Sequence, residues 1–225
     1  MGFKLERIRA ICFDIDGTLS DTDDQFVEKL AKYLYPLRLF CSREEIHSTA
    51  RRIIMTLESP VSRIYNLADK FGIDDLFAKI FIWLKKLVHY KKRDKTVLIP
   101  GVMAMLGRLK PIYKLAVVSA RGETSAQAFL GKHRLQRFFD VIVTANTCYY
   151  TKPFPDPVLY AAKKMGVTAG ECLIVGDTAV DIKAGKRAGA QTIGVLCGFG
   201  TRRELEKAGA NKIVSNTPDI MWFLK

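Results

Sequence analysis

The sequence predicts an α/β fold, a parallel sheet with helices on both faces and an α-helical segment inserted after the first strand. Three observations carry this expectation. Beyond about residue 100, short apolar runs alternate with helix-period segments, and runs unbroken by polar residues are the mark of strands buried on both faces. Residues from about 21 to 98 contain no convincing strand and read as amphipathic helices punctuated by Pro36, Ser59-Pro60 and Gly72. Four of the apolar runs also lead into loops that carry Asp, Ser or Lys.

In chain order, residues 8–13 form the first predicted strand, ending at Asp14-Ile15-Asp16-Gly17. After the helical block, Pro100-Gly101 opens a helix that runs to about residue 110. A strand over 115–118, a helix over 123–135 and a strand over 141–144 follow. Residues 156–165 read as a helix opened by a proline-rich turn, and 172–175 as another strand. A helix over 178–188 stops at Gly189, and strands over 192–195 and 212–214 complete the pattern. The expected organisation is a core made of residues 1–19 and 99–225, interrupted by a helical cap over 20–98. Its two crossings, 20–24 and 97–101, are where a cap hinge should lie.

With 48% hydrophobic and 26% charged residues the composition is that of a soluble globular chain. The longest apolar candidate, residues 80–90, is too short to cross a bilayer and carries Lys85, Lys86 and His89. Arg7 and Arg9 interrupt any secretory-type apolar stretch, and Glu6 breaks the myristoylation pattern that Gly2 would start. A cytoplasmic protein without a membrane partner is expected. Cys12, Cys41, Cys148, Cys172 and Cys197 are odd in number and lack zinc spacing, so they read as buried free thiols. The net charge of +13 reads first as a solvated basic surface, then as steering of small anions, and last as nucleic-acid binding.

Ligands of open parallel sheets bind beyond the carboxyl ends of the strands. Here those ends carry Asp14-Ile15-Asp16-Gly17-Thr18, Ser119-Ala120-Arg121, Lys152 in Lys152-Pro153-Phe154-Pro155, and Gly176-Asp177 with Asp181. Acids gathered at one edge repel each other unless a cation and the lysine offset them, and an all-oxygen donor set suits Mg²⁺. Phosphoryl transfer is the chemistry such a cluster favours. A carboxylate can attack phosphorus and a second one can manage the proton, while Lys152 and Ser119 position the phosphoryl group. Taken singly, each element also has a plainer role as turn, helix cap or surface charge. A two-component receiver domain gathers similar residues but is about half this length and has no helical insertion.

These four motifs, in this order, resemble those of the haloacid dehalogenase superfamily, in its helical-cap branch with a Rossmann-like core, and the likeness covers essentially the whole chain. The resemblance implies Asp14 as nucleophile, Asp16 as acid/base and Lys152 as the third catalytic group. Thr18, Ser119, Ala120 and Lys152 would serve substrate and phosphate, and Arg121, two residues beyond Ser119, is equally open to a substrate contact or a salt bridge. Mg²⁺ would be held by Asp14, Asp16 through its backbone carbonyl, and Asp177, with Asp181 a further ligand or a partner for Lys152.

Within the family, Asp16 distinguishes the chain from the dehalogenases. Phe26 stands where sugar phosphomutases carry His, and the absence of lysine between Lys32 and Lys70 counts against the phosphonate hydrolases. A phosphoglycolate-phosphatase-like hydrolase of a small phosphorylated metabolite is the expected function, with a sugar phosphomutase, a phosphonate hydrolase or a non-catalytic anion- or nucleic-acid-binding protein on the same fold as alternatives. A monomer or homodimer is expected. Arg51, Arg52 and Arg63 are cap candidates for a substrate anion, while His47, His89 and His133 show no catalytic spacing and Tyr149-Tyr150 read as packing.

Overall fold

The computed structural model describes residues 4–21, 33, 35 and 97–224. The chain divides into two units, Met1–Asp23 with Thr96–Lys225, and Asp24–Lys95. Apart from Tyr33 and Tyr35, the described residues belong to the first. The helical cap expected over 20–98 therefore lies largely outside them, as do Phe26, Cys41, His47, Arg51, Arg52, Arg63 and His89.

The first unit contains, in chain order, strands β1 (Ala10–Phe13), β2 (Ser20–Asp21), β3 (Val97–Leu98), β4 (Lys114–Val118), β5 (Val141–Val143), β6 (Cys172–Gly176), β7 (Gln191–Val195) and β8 (Lys212–Val214). Its helices are α1 (Val102–Leu109), α2 (Glu123–Lys132), α3 (Asp156–Met165), α4 (Ala179–Ala188) and α5 (Arg202–Ala208). Six strands form one sheet in the order β5-β4-β1-β6-β7-β8, each neighbour parallel. This is the α/β, Rossmann-like parallel sheet that the apolar runs predict.

Strand alternation explains why the runs had to be apolar throughout. Ile11, Phe13, Leu115, Val117, Leu173 and Val175 point to one face and pack with Val102, Leu106, Leu109, Phe129 and Leu130 of α1 and α2. Ala10, Cys12, Ala116, Val118, Cys172 and Ile174 point to the other, under Val158, Ala161 and Ala162 of α3 and Ala184 of α4. A polar residue at any of these positions would be buried without water on either side.

Register sets the site. Phe13 lies opposite both Val117 on β4 and Val175 on β6, so the three strands end level and their following loops start side by side. The ladder continues one residue further, with the Asp14 amide donating to the Val175 carbonyl (3.0 Å) and the Ser119 amide to that of Val143 (2.9 Å).

Two details depart from the sequence reading. The helix expected over 123–135 ends at Lys132, because Arg134 takes a positive φ of 54° and the Leu135 amide turns back to the Leu130 carbonyl. A short 3-10 turn, Gln136–Phe138, follows. Helix α5 was not anticipated, since Leu205 is its one buried residue and leaves no periodic signal. Its Thr201 and Glu204 nevertheless form a reciprocal cap. The two chain crossings, β2 and β3, pair as a short antiparallel ribbon, Ser20 opposite Leu98.

Candidate active site

Asp14 is the first residue past β1, and its position is pinned by the backbone bond to Val175. Its Oδ1 accepts from Lys152 Nζ at 2.8 Å, and the same ammonium donates to Asp181 Oδ1 at 2.5 Å. Lys152 comes from the loop before α3, while Asp181 sits in the first turn of α4. Asp181 has a second duty, because its Oδ2 accepts from the Thr178 amide (3.1 Å) and hydroxyl (2.6 Å) and so caps α4. The capping role and the active-site role are thus served by one carboxylate. Asp181 is thus hydrogen-bonded to Lys152, and its carboxylate also stands in the group of acids that could hold a cation.

Asp14, Asp177 and Asp181 are all buried, and each offers a carboxylate oxygen within 4.8 Å of the others. Burial, with the Asp181 and Asp16 charges adding to it, pushes the Asp14 carboxyl up to about 7, although Lys152 works in the opposite sense. Burial likewise drives Asp177 well above the usual carboxylate range, helped by Asp181 and Asp14. Lys152 goes the other way from an ordinary buried amine. Burial disfavours its charge, but the Asp14 and Asp181 carboxylates outweigh it and hold the ammonium protonated. Three acids against one lysine leave this edge of the sheet short of positive charge.

Asp177 offers an oxygen that such a charge could meet. Its Oδ2 accepts from the Phe199 amide at 2.7 Å, but its Oδ1 is buried with no hydrogen-bond partner among the described residues. An orphaned carboxylate oxygen is costly unless something binds it. The backbone is pressed closely around it: a Cβ on Gly17 or Gly198 would run into the Asp177 carboxylate, and one on Gly200 into its backbone carbonyl. Gly17 also has φ 72°, a conformation few side-chain-bearing residues adopt. With no His or Cys in the cluster, the donor set fits a hard divalent cation such as Mg²⁺.

The other predicted residues divide into those beside this cluster and those that point elsewhere. Ser119 is buried at the end of β4, and its Oγ accepts from the Arg121 amide at 3.2 Å. Asp16 is half-buried, with its carboxylate held by the Arg121 guanidinium through Nε (2.7 Å) and Nη2 (2.5 Å). Ala120 is exposed. The Thr18 side chain is fully buried and its Oγ1 has no hydrogen-bond partner among the described residues, while its carbonyl accepts from the Thr217 hydroxyl. Tyr149 is 92% exposed, contrary to the packing reading; it meets Tyr150 edge-on, and Tyr150 lies against Phe154.

Sequence reasoning missed the Gly198-Phe199-Gly200 turn that holds Asp177. Its signal is two glycines just past a strand that was itself identified. Among the described residues Cys12, Cys148, Cys172 and Cys197 are free thiols; Cys12 and Cys172 are buried as expected, whereas Cys148 and Cys197 are only partly buried. No helix among the described residues is long and apolar enough to cross a membrane.

A family model described as haloacid dehalogenase-like hydrolase matches residues 11–195. The chain is 35% identical over 197 residues to a phosphoglycolate phosphatase of Aquifex aeolicus, covering 85% of this chain and 86% of that protein. It is 29% identical over 222 residues to the pyrophosphatase PpaX of Bacillus velezensis, covering 96% and 92%. Among solved structures, a hydrolase from Pseudomonas syringae superposes with TM-score 0.70 at 27% identity, over 95% of this chain and 96% of that one.

Proposed function

Because the chain belongs to the haloacid dehalogenase-like hydrolases, in company with relatives named as phosphatases, we propose that it is a Mg²⁺-dependent phosphatase of small phosphomonoesters working through an aspartyl phosphate. The observation that carries this reading is the buried Asp14–Lys152–Asp181 cluster beside the unpartnered Asp177 Oδ1. Bound there by Asp14, Asp177 and the Asp16 carbonyl, Mg²⁺ would supply the charge that the acids lack and polarise the phosphoryl oxygens.

In the first step an Asp14 carboxylate oxygen attacks phosphorus, and the bond from phosphorus to the ester oxygen breaks. Asp16 delivers a proton to that leaving oxygen. In the second step Asp16 takes a proton from water as the water attacks the phosphorus of the aspartyl phosphate, which releases inorganic phosphate and restores Asp14. Lys152 keeps Asp14 oriented and offsets its charge, and Ser119, at the end of β4, would donate its hydroxyl to a phosphoryl oxygen.

The relatives point to phosphoglycolate and pyrophosphate as the substrates to try first. The test is phosphate release from these and a wider panel of phosphomonoesters, with Mg²⁺ and with EDTA, against Asp14→Asn. Metal-dependent release that the variant lacks supports the reading. Conversion of a sugar phosphate to its isomer without net phosphate release would replace it with a mutase.

A further inference from the structure

The arginine on Asp16 is not explained by this chemistry. Arg121 stands in the loop after β4 and grips both oxygens of Asp16, with Nε on Oδ2 at 2.7 Å and Nη2 on Oδ1 at 2.5 Å. The pair is well screened from water, with the two side chains 10% and 24% exposed. The guanidinium also lies over the Phe129 ring, 5.2 Å from its centre, so the grip is braced from α2. A carboxylate that must exchange a proton with a leaving oxygen needs at least one oxygen turned towards the substrate. In this resting site the Arg121 fork spans both.

We propose that Arg121 is a positioning residue that locks Asp16 in the resting site, and that an anionic group on the substrate's leaving portion opens the lock by drawing the fork onto itself. The proposal rests on the phosphatase reading above and adds a selection rule to it. Bidentate guanidinium–carboxylate pairs are strong and geometrically specific, so a neutral hydroxyl competes poorly for the fork, whereas a second carboxylate or phosphate competes well. Esters whose alcohol portion carries its own negative charge would therefore release Asp16 for proton transfer, and neutral ones would leave it held. Selectivity would arise from the cost of unlocking the acid as well as from binding. The braced position over Phe129 keeps the freed guanidinium near the reacting end rather than letting it swing to solvent.

The test compares 2-phosphoglycolate with its neutral counterpart ethylene glycol phosphate, in the wild type, Arg121→Ala and Arg121→Lys, all with Mg²⁺. In Arg121→Ala, kcat for the neutral ester should rise by about threefold or more, because the fork no longer spans both Asp16 oxygens. In the same variant kcat/KM for the anionic ester should fall by roughly tenfold or more, the loss of one good charge-assisted contact. The preference for the anionic ester then collapses, and Arg121→Lys, which keeps the charge without the fork, falls between. Equal losses on both esters would overturn the proposal and leave Arg121 a general support of the site. An unchanged preference would overturn it as well.

A readout without turnover separates this outcome from failure of the phosphatase reading. In the metal-free protein the Arg121 Nε–H should give a low-field, exchange-protected nitrogen resonance that Asp16→Asn abolishes. Its absence from the wild type refutes the lock. A wild type inert towards every phosphoester, with that resonance present, refutes the phosphatase reading instead.

Discussion

Two ion pairs of the same length sit at opposite ends of the sheet. At the carboxyl edge Lys152 meets Asp181 at 2.5 Å, with side chains 5% and 2% exposed. At the other edge Lys110 meets Asp140 at 2.5 Å, with side chains 33% and 39% exposed. Distance alone would call them equivalent. Asp140 and the other acid bound to Lys152, Asp14, show that they are not. Asp140 is held below the ordinary carboxylate range, because the Lys110 hydrogen bond and the Leu115 amide (2.9 Å) outweigh its modest burial. Asp14, joined to the same lysine as Asp181, is pushed up to about 7 because burial comes first and two further acids stand near it. Burial turns an ordinary pair into a site that is incomplete by itself, and incompleteness is what a cation and a phosphoryl group can relieve.

The largest effect that follows is on turnover. Asp14→Asn should lower phosphate release on the order of 10³-fold or more, as the loss of a nucleophile does. Asp140→Asn, at the opposite edge, should leave the rate within about twofold, its site lying outside the machinery; the measurement is steady-state phosphate release under saturating Mg²⁺. Comparable losses in both variants would erase the distinction between the two edges.

Stability should separate the two lysines next. Lys152→Ala leaves Asp14 and Asp181 buried without their cation, and breaking a buried pair from one side costs about 3–5 kcal/mol. Part of that loss will be recovered as the acids take up protons, so urea titration of the metal-free variant should show a smaller deficit at pH 5 than at pH 7. A deficit independent of pH would mean that the lysine acts by packing rather than by charge.

How much of this could be read from the sequence follows the same division. The parallel sheet was legible because both its faces are buried, which forces unbroken apolar runs such as Leu115–Val118 and Cys172–Val175. That the acids, Ser119 and Lys152 gather at one edge was legible because the strands that precede them run parallel and end level. Helix α5 was not, since one buried leucine in seven residues leaves no period to detect. The grip of Arg121 on Asp16 was not either, because it joins residues 105 apart through side-chain directions that strand order does not specify. The sequence left Arg121 equally open to substrate and salt bridge, and only coordinates decide that.

The pH dependence of stability offers a further contrast, now of sign. The Asp14 pKa is raised on folding, from 3.8 to about 7, so its contribution is fully present below about pH 4 and is lost as pH rises towards 7. The Asp140 pKa is lowered, so its contribution is present at neutral pH and is lost as pH falls through the folded value. Between pH 4 and 7 the metal-free protein should therefore lose stability from the carboxyl edge. Mg²⁺ should raise the melting temperature more at pH 7 than at pH 5, since it binds the ionised acids. Asp177→Asn keeps an acceptor for the Phe199 amide and removes one repelled charge, so it should melt higher than the wild type without metal and respond little to Mg²⁺. A Mg²⁺ response equal in variant and wild type would place the cation elsewhere.

The smallest effect belongs to Lys110→Ala. The lysine is one-third exposed, so water screens its charge and solvates Asp140 once it is gone. The Asp140 carboxylate keeps the Leu115 amide, and the Asp140 amide still donates to the Leu115 carbonyl at 2.8 Å, so the β4 end of the strand pairing survives without the ion pair. The loss should be no more than about 1 kcal/mol, and it should shrink further in high salt, where exposed pairs are screened. Urea titrations at low and high ionic strength check both points. A loss as large as that of Lys152→Ala would mean that the 2.5 Å separation, rather than burial, sets what an ion pair contributes in this fold.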